Sequence, residues 1–306
     1  MKRLLLLTLL LLATHCAQGQ EDEMTLDDAM KSAEQWANEN LDDDSLRMLR
    51  SADQQKVKDF FKLLEKQFHG EYVVDLAALK DMARSVLPLL EAGDETAPYA
   101  AWLRAQMDYL DVADQFRLVI PPPPTVPGQP PRPIPNPTPE KEREAWIKQL
   151  RERVAPKSAQ PYLARLKAIF AEERVPPELV WVAEVESSFD PRARSPAGAA
   201  GMFQLMPDTA ERYGLRVRPL DQRFKPEESA RAAARYLRYL HGHFKDWRLA
   251  LAAYNAGEGT VERELARHKT RTFDAIATHL PAETQMYVPR VEAVVLKREG
   301  IGLERL

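Results

Sequence analysis

Apolar residues recur at three- and four-residue steps through most of the first 118 residues, which is the spacing of one face of an α-helix. The run that shows this spacing most clearly is Val57, Phe60, Phe61, Leu64 and Phe68. The pattern predicts helices over residues 24–38, 44–69, 73–90 and 97–116. Glycines fall between the later helices, where loops are expected.

The second half of the chain carries the same helical spacing in shorter segments. The predicted helices cover residues 146–154, 162–173, 178–187, 208–213, 226–244, 247–254, 259–268 and 281–298. No strand alternation of useful length occurs, apart from short pairing that is conceivable within the loop 189–204. The fold class predicted from the pattern is therefore all-α, with loops carrying the functional residues.

A proline-rich segment separates the two halves. The chain has 24 prolines, and many of them lie between Ile120 and Pro139. Such a run favours polyproline II and is typical of a semi-rigid spacer, although a ligand for proline-recognising proteins is an alternative. The predicted organisation is a helical region at 20–118, a linker at 119–140 and a second folded domain at 141–306.

The first residues resemble a secretory signal. Met1-Lys2-Arg3 is followed by a leucine-rich stretch that is too short to span a membrane, and then by small residues. Residues 1–19 are predicted to be a signal peptide that is cleaved after Gly19 and directs export of the protein to the periplasm or cell envelope. The only cysteine, Cys16, offers the alternative of lipid attachment and an outer-membrane lipoprotein, although His15 departs from the usual pattern. Membrane association is expected only if Cys16 is lipidated.

Charge differs between the halves of a chain whose net charge is −3. Residues 140–306 contain 29 Lys and Arg against 24 Asp and Glu, whereas the preceding residues contain 14 against 22. A basic second half favours an anionic polymer outside the cytoplasm. No nucleic-acid partner is predicted, and residues 21–118 are left as a candidate surface for an envelope protein.

Glu186 is the first candidate for chemistry. Leu179, Val182 and Val185 mark the buried side of the helix predicted over 178–187, and Glu186 extends that side. Glu184 lies about 200° away around the helix and is expected to face water. From this spacing alone, a surface or salt-bridged Glu186 remains an alternative to a catalytic one.

Other polar residues give weaker signals. His241 and His243 could bind a metal, but they point to different sides of a helix and lack a third ligand at suitable spacing. Asp190 precedes Pro191 and is expected to cap a turn. Neither a metal nor an organic cofactor is predicted.

Four motifs lie within about residues 143–298. The motifs are Glu186-Ser187-Ser188-Phe189-Asp190-Pro191, Gly198-Ala199-Ala200-Gly201-Met202-Phe203-Gln204-Leu205-Met206-Pro207, Ala253-Tyr254-Asn255-Ala256-Gly257-Glu258-Gly259, and Pro281 with Glu283-Thr284 and Tyr287-Val288-Pro289. In these residues and in their order they resemble the family 1 lytic transglycosylases, in the variety related to the membrane-bound D type.

This resemblance implies a goose-type lysozyme fold and cleavage of the β-1,4 bond between N-acetylmuramic acid and N-acetylglucosamine in peptidoglycan without water. It implies that Glu186 is the catalytic acid and later the base. The residues implied to bind the glycan or support the acid are Ser187, Met202, Phe203, Gln204, Tyr254, Asn255 and Tyr287. Phe203 stands where the family commonly has other apolar residues, which leaves the shape of the subsite open.

The expected chemistry needs Glu186 to stay protonated near neutral pH. Desolvation by Met202, Phe203 and Tyr254 is expected to raise its pKa accordingly. A hydrolytic muramidase on the same fold and an inactive peptidoglycan-binding module are the alternative functions.

Overall fold

The computed structural model describes residues 52–306 apart from 126, 127 and 129, together with isolated positions between 25 and 35. The predicted signal peptide 1–19, including Cys16, lies outside the described residues, as does most of the helix predicted over 24–38. None of the helices in the described ranges combines the length and apolarity needed to cross a membrane.

Over the described residues from 52 to 306 the chain forms twelve α-helices and, apart from two isolated bridges, no β-structure. They are α1 Ala52–Phe68, α2 Lys80–Glu91, α3 Ala97–Val119, α4 Pro139–Leu150, α5 Leu163–Glu172, α6 Val182–Ser187, α7 Pro207–Arg212, α8 Pro226–Phe244, α9 Trp247–Ala256, α10 Glu258–His268, α11 Phe273–Ile276 and α12 Ala282–Glu299. The bridges join Ala200 to Arg194 and to Leu205, inside the loop where short pairing was expected. The all-α class is confirmed.

Local sequence explains where several helices begin. Thr138 accepts a hydrogen bond from the backbone of Lys141 at the start of α4, and Asp246 accepts one from Leu249 at the start of α9. These side chains satisfy backbone N–H groups that the first turn of a helix leaves without partners. Short 3-10 turns precede others, and the turn Pro177–Trp181 leads directly into α6.

Helix α12 lies at the centre of the fold. All but one of its residues from Ala282 to Val295 are buried, and it packs against α4, α6 and α9. A helix that is buried nearly all round has neighbours on every side, and its buried polar residues need partners there. This enclosure places the side chains of α12 next to both halves of the chain.

The helices before the proline-rich segment share one hydrophobic core with those after it. Helix α3 packs against α6, and the backbone N–H of Ala282 donates to the carbonyl of Gly70 at 2.8 Å. Asn136, at the end of the proline-rich segment, accepts from the backbone of Val73 and donates to the carbonyl of Glu71. The expected spacer therefore does not hold two separate bodies apart, although its proposed bounds stay a prediction.

Candidate active site

Glu186 lies in the last turn of α6, a helix of only six residues. The helix ends because Ser188 and Phe189 adopt left-handed backbone conformations, with φ of 53° and 61°. Glu186 is half-buried, whereas the preceding residues of α6 are buried. Its carboxyl group consequently stands at the edge of the core, where a ligand can reach it.

A phenol from α12 holds this carboxyl group. The Tyr287 hydroxyl donates to Oε1 of Glu186 at 2.6 Å, and Tyr287 itself is 1% exposed. Burial raises the pKa of Glu186 to about 8, although the Tyr287 hydrogen bond and the charge of Arg290 act in the opposite direction. A pKa above its ordinary value favours the protonated form of Glu186 at neutral pH, which is the form that a general acid needs.

A second carboxyl group, that of Glu283, faces the same space. Its Oε1 accepts a hydrogen bond from Nδ2 of Asn255 at 3.2 Å, while Thr284 donates to Oδ1 of Asn255 at 2.6 Å. Burial raises the pKa of Glu283, and the charge of Glu283 in turn raises the pKa of Glu186. Asn255 thus joins the third motif to the fourth by hydrogen bonds to Glu283 and Thr284. Its contact with the carboxyl groups of the site is the one to Glu283.

Two side chains fix the loop 201–204 beside the acid. The Ser187 hydroxyl donates to the carbonyl of Met202 at 2.8 Å, and the Tyr254 hydroxyl donates to the carbonyl of Phe203 at 2.8 Å. Gly201 has φ of 79°, and a Cβ there would lie 1.9 Å from the backbone oxygen of Arg223. The loop consequently depends on glycine at this position.

Three residues of this loop that were predicted to contact the glycan have their side chains turned inward. Met202 and Phe203 are fully buried, and the Phe203 ring packs against Phe170 at a centroid distance of 5.7 Å, so both side chains belong to the core in this conformation. Nε2 of Gln204 donates to the carbonyls of Ala193 and Gly201, and its Oε1 is buried without a partner. Because these polar atoms are turned inward, Gln204 shapes the loop and does not face a ligand in this conformation.

The expectation that Glu184 faces water is wrong. Glu184 and Glu186 do diverge around α6, but α6 is covered on both sides. The Glu184 side chain is 6% exposed and accepts two hydrogen bonds from Arg298, at 2.7 and 3.0 Å. Glu184 therefore ties α6 to the end of α12.

Asp190 caps a turn as expected, because its Oδ1 accepts from the backbone of Arg192 at 2.8 Å. The two histidines of α8 have separate neighbours. His241 stacks on Trp247 at 4.0 Å, and His243 bonds to Glu262 at 2.7 Å. In the described part of the chain, no three His, Cys, Asp or Glu side chains gather in a way that could hold a metal ion.

Sequence reasoning missed Arg290, which acts on Glu186 from α12. Glu283, Tyr287 and Arg290 follow one another at steps of four and three residues, so they form a stripe along one face of that helix. This helical spacing could have identified Arg290 from the sequence as a neighbour of Glu283 and Tyr287. Two of the residues that surround Arg290, Asp108 and Tyr109, come from the N-terminal half, and no local pattern indicates them.

We expect Tyr287→Phe to raise the pKa of Glu186. The lost hydrogen bond stabilises the ionised carboxylate, so its removal shifts the pKa upward by about one unit. If Glu186 acts as an acid, the alkaline limb of the pH dependence of kcat/KM moves to higher pH by the same amount. Tyr162→Phe, a tyrosine outside this group, is the matched control and should leave the limb in place. An unmoved limb in Tyr287→Phe would show that the phenol does not act on Glu186.

The chain is similar to proteins of one family. The transglycosylase SLT domain matches residues 166–277. The membrane-bound lytic murein transglycosylase D of Escherichia coli (strain K12) is 39% identical over 154 residues, which cover 47% of this chain and 34% of that protein. A protein of Alteromonas sp. (strain M-1) that is named for tributyltin chloride resistance is 33% identical over 145 residues, which cover 47% of this chain and 67% of that protein.

The crystal structure of the 70-kDa soluble lytic transglycosylase of Escherichia coli aligns over 88% of this chain and 48% of that one, with 19% identity and a TM-score of 0.40. The chain thus spans about a third of the length of the first relative and about half of this structure. The matched domain contains Glu186, the 201–204 loop, Tyr254 and Asn255. The chain belongs to the family of proteins with a transglycosylase SLT domain.

Proposed function

We propose that the chain is an exported lytic transglycosylase of peptidoglycan, with Glu186 as its catalytic acid and base. The observation that carries the proposal is the state of Glu186: a half-buried carboxyl group, held by Tyr287 at 2.6 Å, with a pKa raised to about 8. A general acid for the glycosidic oxygen needs its proton at the working pH. The similarity to murein transglycosylases supports peptidoglycan as the substrate.

The proposed reaction uses one carboxyl group twice. Protonated Glu186 donates its proton to the oxygen that links muramic C1 to the next sugar, and the bond from C1 to that oxygen breaks. The N-acetyl group of the muramic sugar stabilises the cationic centre at C1. Ionised Glu186 then takes the proton of the muramic C6 hydroxyl, whose oxygen bonds to C1 and closes a 1,6-anhydro ring.

The second carboxyl group favours this mechanism over two-carboxylate hydrolysis. A retaining or inverting glycosidase needs one protonated and one ionised carboxyl group across the bond. Glu283 is the neighbouring carboxyl group, and its Oε1 accepts a hydrogen bond from Asn255, which Thr284 holds in turn. We therefore assign Glu283 to the hydrogen-bonded support of the site and not to attack on C1 or to activation of water.

Supporting roles follow from the contacts. We propose that Tyr287 positions Glu186 through its hydrogen bond. Ser187 and Tyr254 position the 201–204 loop. Asn255 positions Glu283. Burial and the charge of Glu186 raise the pKa of Tyr254 and of Tyr287, so both phenols remain protonated donors.

A row of tyrosines supports a glycan path away from the acid. The Tyr254 ring lies 5.2 Å from that of Tyr236, which lies 5.0 Å from that of Tyr213. Tyr213 borders a groove between α7 and α8 that also includes Arg212 and Tyr239. Tyr236 is itself buried and supports the rings on either side. Sugar rings stack on aromatic faces and the arginine suits carboxylates of the stem peptide, so we propose that the strand passes along the groove beside Tyr213 and Tyr239.

We extend the proposal to location and domains. Residues 1–19 are proposed as a signal peptide that directs the chain to the periplasm or cell envelope, with lipid attachment at Cys16 as the alternative anchor. Residues 141–306 are proposed as the catalytic domain, with 20–118 and 119–140 as the preceding helical region and linker. Named relatives include both membrane-bound and soluble murein transglycosylases.

Solubilisation of purified peptidoglycan tests the function. The full chain is incubated with insoluble peptidoglycan, and soluble muropeptides are measured together with the fraction of protein that sediments with the polymer. We expect soluble fragments to be released with time. Sedimentation of the protein without any release would instead indicate the inactive binding module, and neither release nor binding would exclude peptidoglycan as the ligand.

A further inference from the structure

Arg290 lies in a pocket formed largely by the N-terminal half of the chain. It is 3% exposed, and its Nη2 donates to Oδ2 of Asp108 at 3.0 Å. The centre of its guanidinium lies 4.6 Å from the ring of Tyr109 and 5.3 Å from that of Trp146. Asp108 and Tyr109 belong to α3, whereas Trp146 belongs to α4.

The position of the guanidinium depends on Asp108. Among the described residues, Nε and Nη1 of Arg290 have no hydrogen-bond partner, so the bond from Nη2 to Asp108 is its contact with a charged group. Asp108 is itself 7% exposed and also accepts hydrogen bonds from Arg153. Burial raises the pKa of Asp108, but Arg290 and Arg153 together outweigh this effect, so the pKa is lowered and Asp108 stays ionised.

Arg290 also shares a face of α12 with Tyr287, the residue that bonds to Glu186. It follows Tyr287 by one turn on the same stripe of α12, and its charge lowers the pKa of Glu186 and of Glu283. Several charged and titratable groups interact with Glu186, Glu283 or Arg290. They are Asp108, Tyr109, Tyr254, Tyr287 and, for Glu283, His69, while Arg290 itself interacts with both carboxyl groups. The N-terminal half contributes His69, Asp108 and Tyr109 to this group.

We propose that Asp108 is a positioning residue for Glu186, acting through Arg290, and that the N-terminal helical region is therefore a working part of the catalytic centre. Asp108 keeps the guanidinium over the rings of Tyr109 and Trp146, one turn of α12 beyond the tyrosine that bonds to Glu186. Without that anchor, the cation is free to move toward Glu186 and Glu283. This inference rests on the proposed role of Glu186.

The test is the pKa of the Glu186 side chain, measured by carbon NMR on the full chain with labelled glutamate. The signal is assigned by its loss in Glu186→Gln. We expect Asp108→Asn to lower the pKa of Glu186 by about one unit, because an acceptor that balances and holds the cation is lost. We expect Arg290→Met to raise it by about one unit, because the cation itself is gone.

Two further variants serve as controls. Asp114→Asn removes another ion-paired carboxylate of α3, which bonds to Lys80 and Arg117 and not to Arg290, and it should leave the pKa of Glu186 unchanged. Arg290→Lys keeps the charge and should restore the wild-type pKa to within a few tenths of a unit, which is small beside the effect of a removed charge. A purely structural role for Asp108 would lower stability in Asp108→Asn without these opposite shifts.

The outcomes separate this inference from the proposed function. Opposite pKa shifts in folded Asp108→Asn and Arg290→Met support the positioning role, whether or not the chain cleaves peptidoglycan. If the chain is active, the alkaline limb of kcat/KM should move with the NMR pKa. An unchanged pKa in both folded variants overturns the inference, and so does loss of folding in every variant of Asp108 and Arg290, which would restrict the network to folding.

Discussion

Glu186→Gln should lower kcat for peptidoglycan cleavage by about 10²–10⁴-fold, the usual contribution of a positioned general acid. The amide keeps the shape of the side chain but has no proton of suitable acidity to give to the glycosidic oxygen. The Tyr287 hydroxyl can still donate to the amide oxygen, so the fold should be retained. The measurement is the initial rate of muropeptide release, together with sedimentation of the variant on the insoluble polymer.

Binding and folding are the controls for this result. The variant should sediment with peptidoglycan as the wild type does, because only the proton donor is removed. Glu178→Gln provides a matched change four residues outside α6, on a glutamate with no part in the site, and should keep the wild-type rate. A rate for Glu186→Gln within about threefold of wild type, far above the loss expected for a general acid, would remove Glu186 from the reaction.

Glu184→Ala should destabilise the protein by about 3–5 kcal/mol, because it leaves the Arg298 guanidinium buried without its carboxylate. The two side chains are 6% and 7% exposed and are joined by two hydrogen bonds. Since the pair fixes α6 to α12, the loss also loosens the helix that carries Glu186. The free energy of unfolding, measured in urea, tests this expectation.

A surface ion pair supplies the comparison. Glu91 and Arg104 approach to 2.6 Å, but their side chains are 39% and 55% exposed. Glu91→Ala should therefore cost no more than about 1 kcal/mol. A similarly small loss of stability in Glu184→Ala would contradict a stabilising role for the buried pair. It would mean that Arg298 finds water or another partner with little change in the free energy of unfolding.

The spacing of apolar residues was sufficient to predict the all-α class and most of the helices. Pro226–Phe244 has the bounds that its pattern predicted, because an amphipathic helix of that length has one apolar face and a proline at its start. The helix predicted over 73–90 instead begins as a 3-10 turn, Val73–Leu79, before α2. Apolar spacing does not distinguish these two helical forms over one or two turns.

The position of Glu186 also followed from spacing, whereas the burial of Glu184 did not. Helical periodicity separates two faces, but it cannot show that a six-residue helix is covered on both. The inward orientation of Met202, Phe203 and Gln204 depends on how one loop folds beneath the acid, with positive φ at Gly201 and Gln204. Such loop geometry has no periodic signal in the sequence.

The role of the N-terminal half was the least predictable part. Asp108 and Arg290 are 182 positions apart and lie on either side of the proline-rich segment. A partnership of this kind depends on the tertiary arrangement of helices and leaves no trace in local composition. The excess of basic residues in the second half predicted an anionic polymer as the ligand. In the structure, the ion pair between Asp108 and Arg290 also joins the two halves.

Digestion of purified peptidoglycan in heavy-oxygen water distinguishes ring closure by the muramic C6 hydroxyl from attack by water. We expect glycan ends that are lighter than hydrolytic ends by one water and carry no label, because the C6 oxygen of the muramic sugar closes the ring on C1. Reducing ends with one labelled oxygen would show that water attacks C1, and they would contradict the non-hydrolytic mechanism proposed for Glu186.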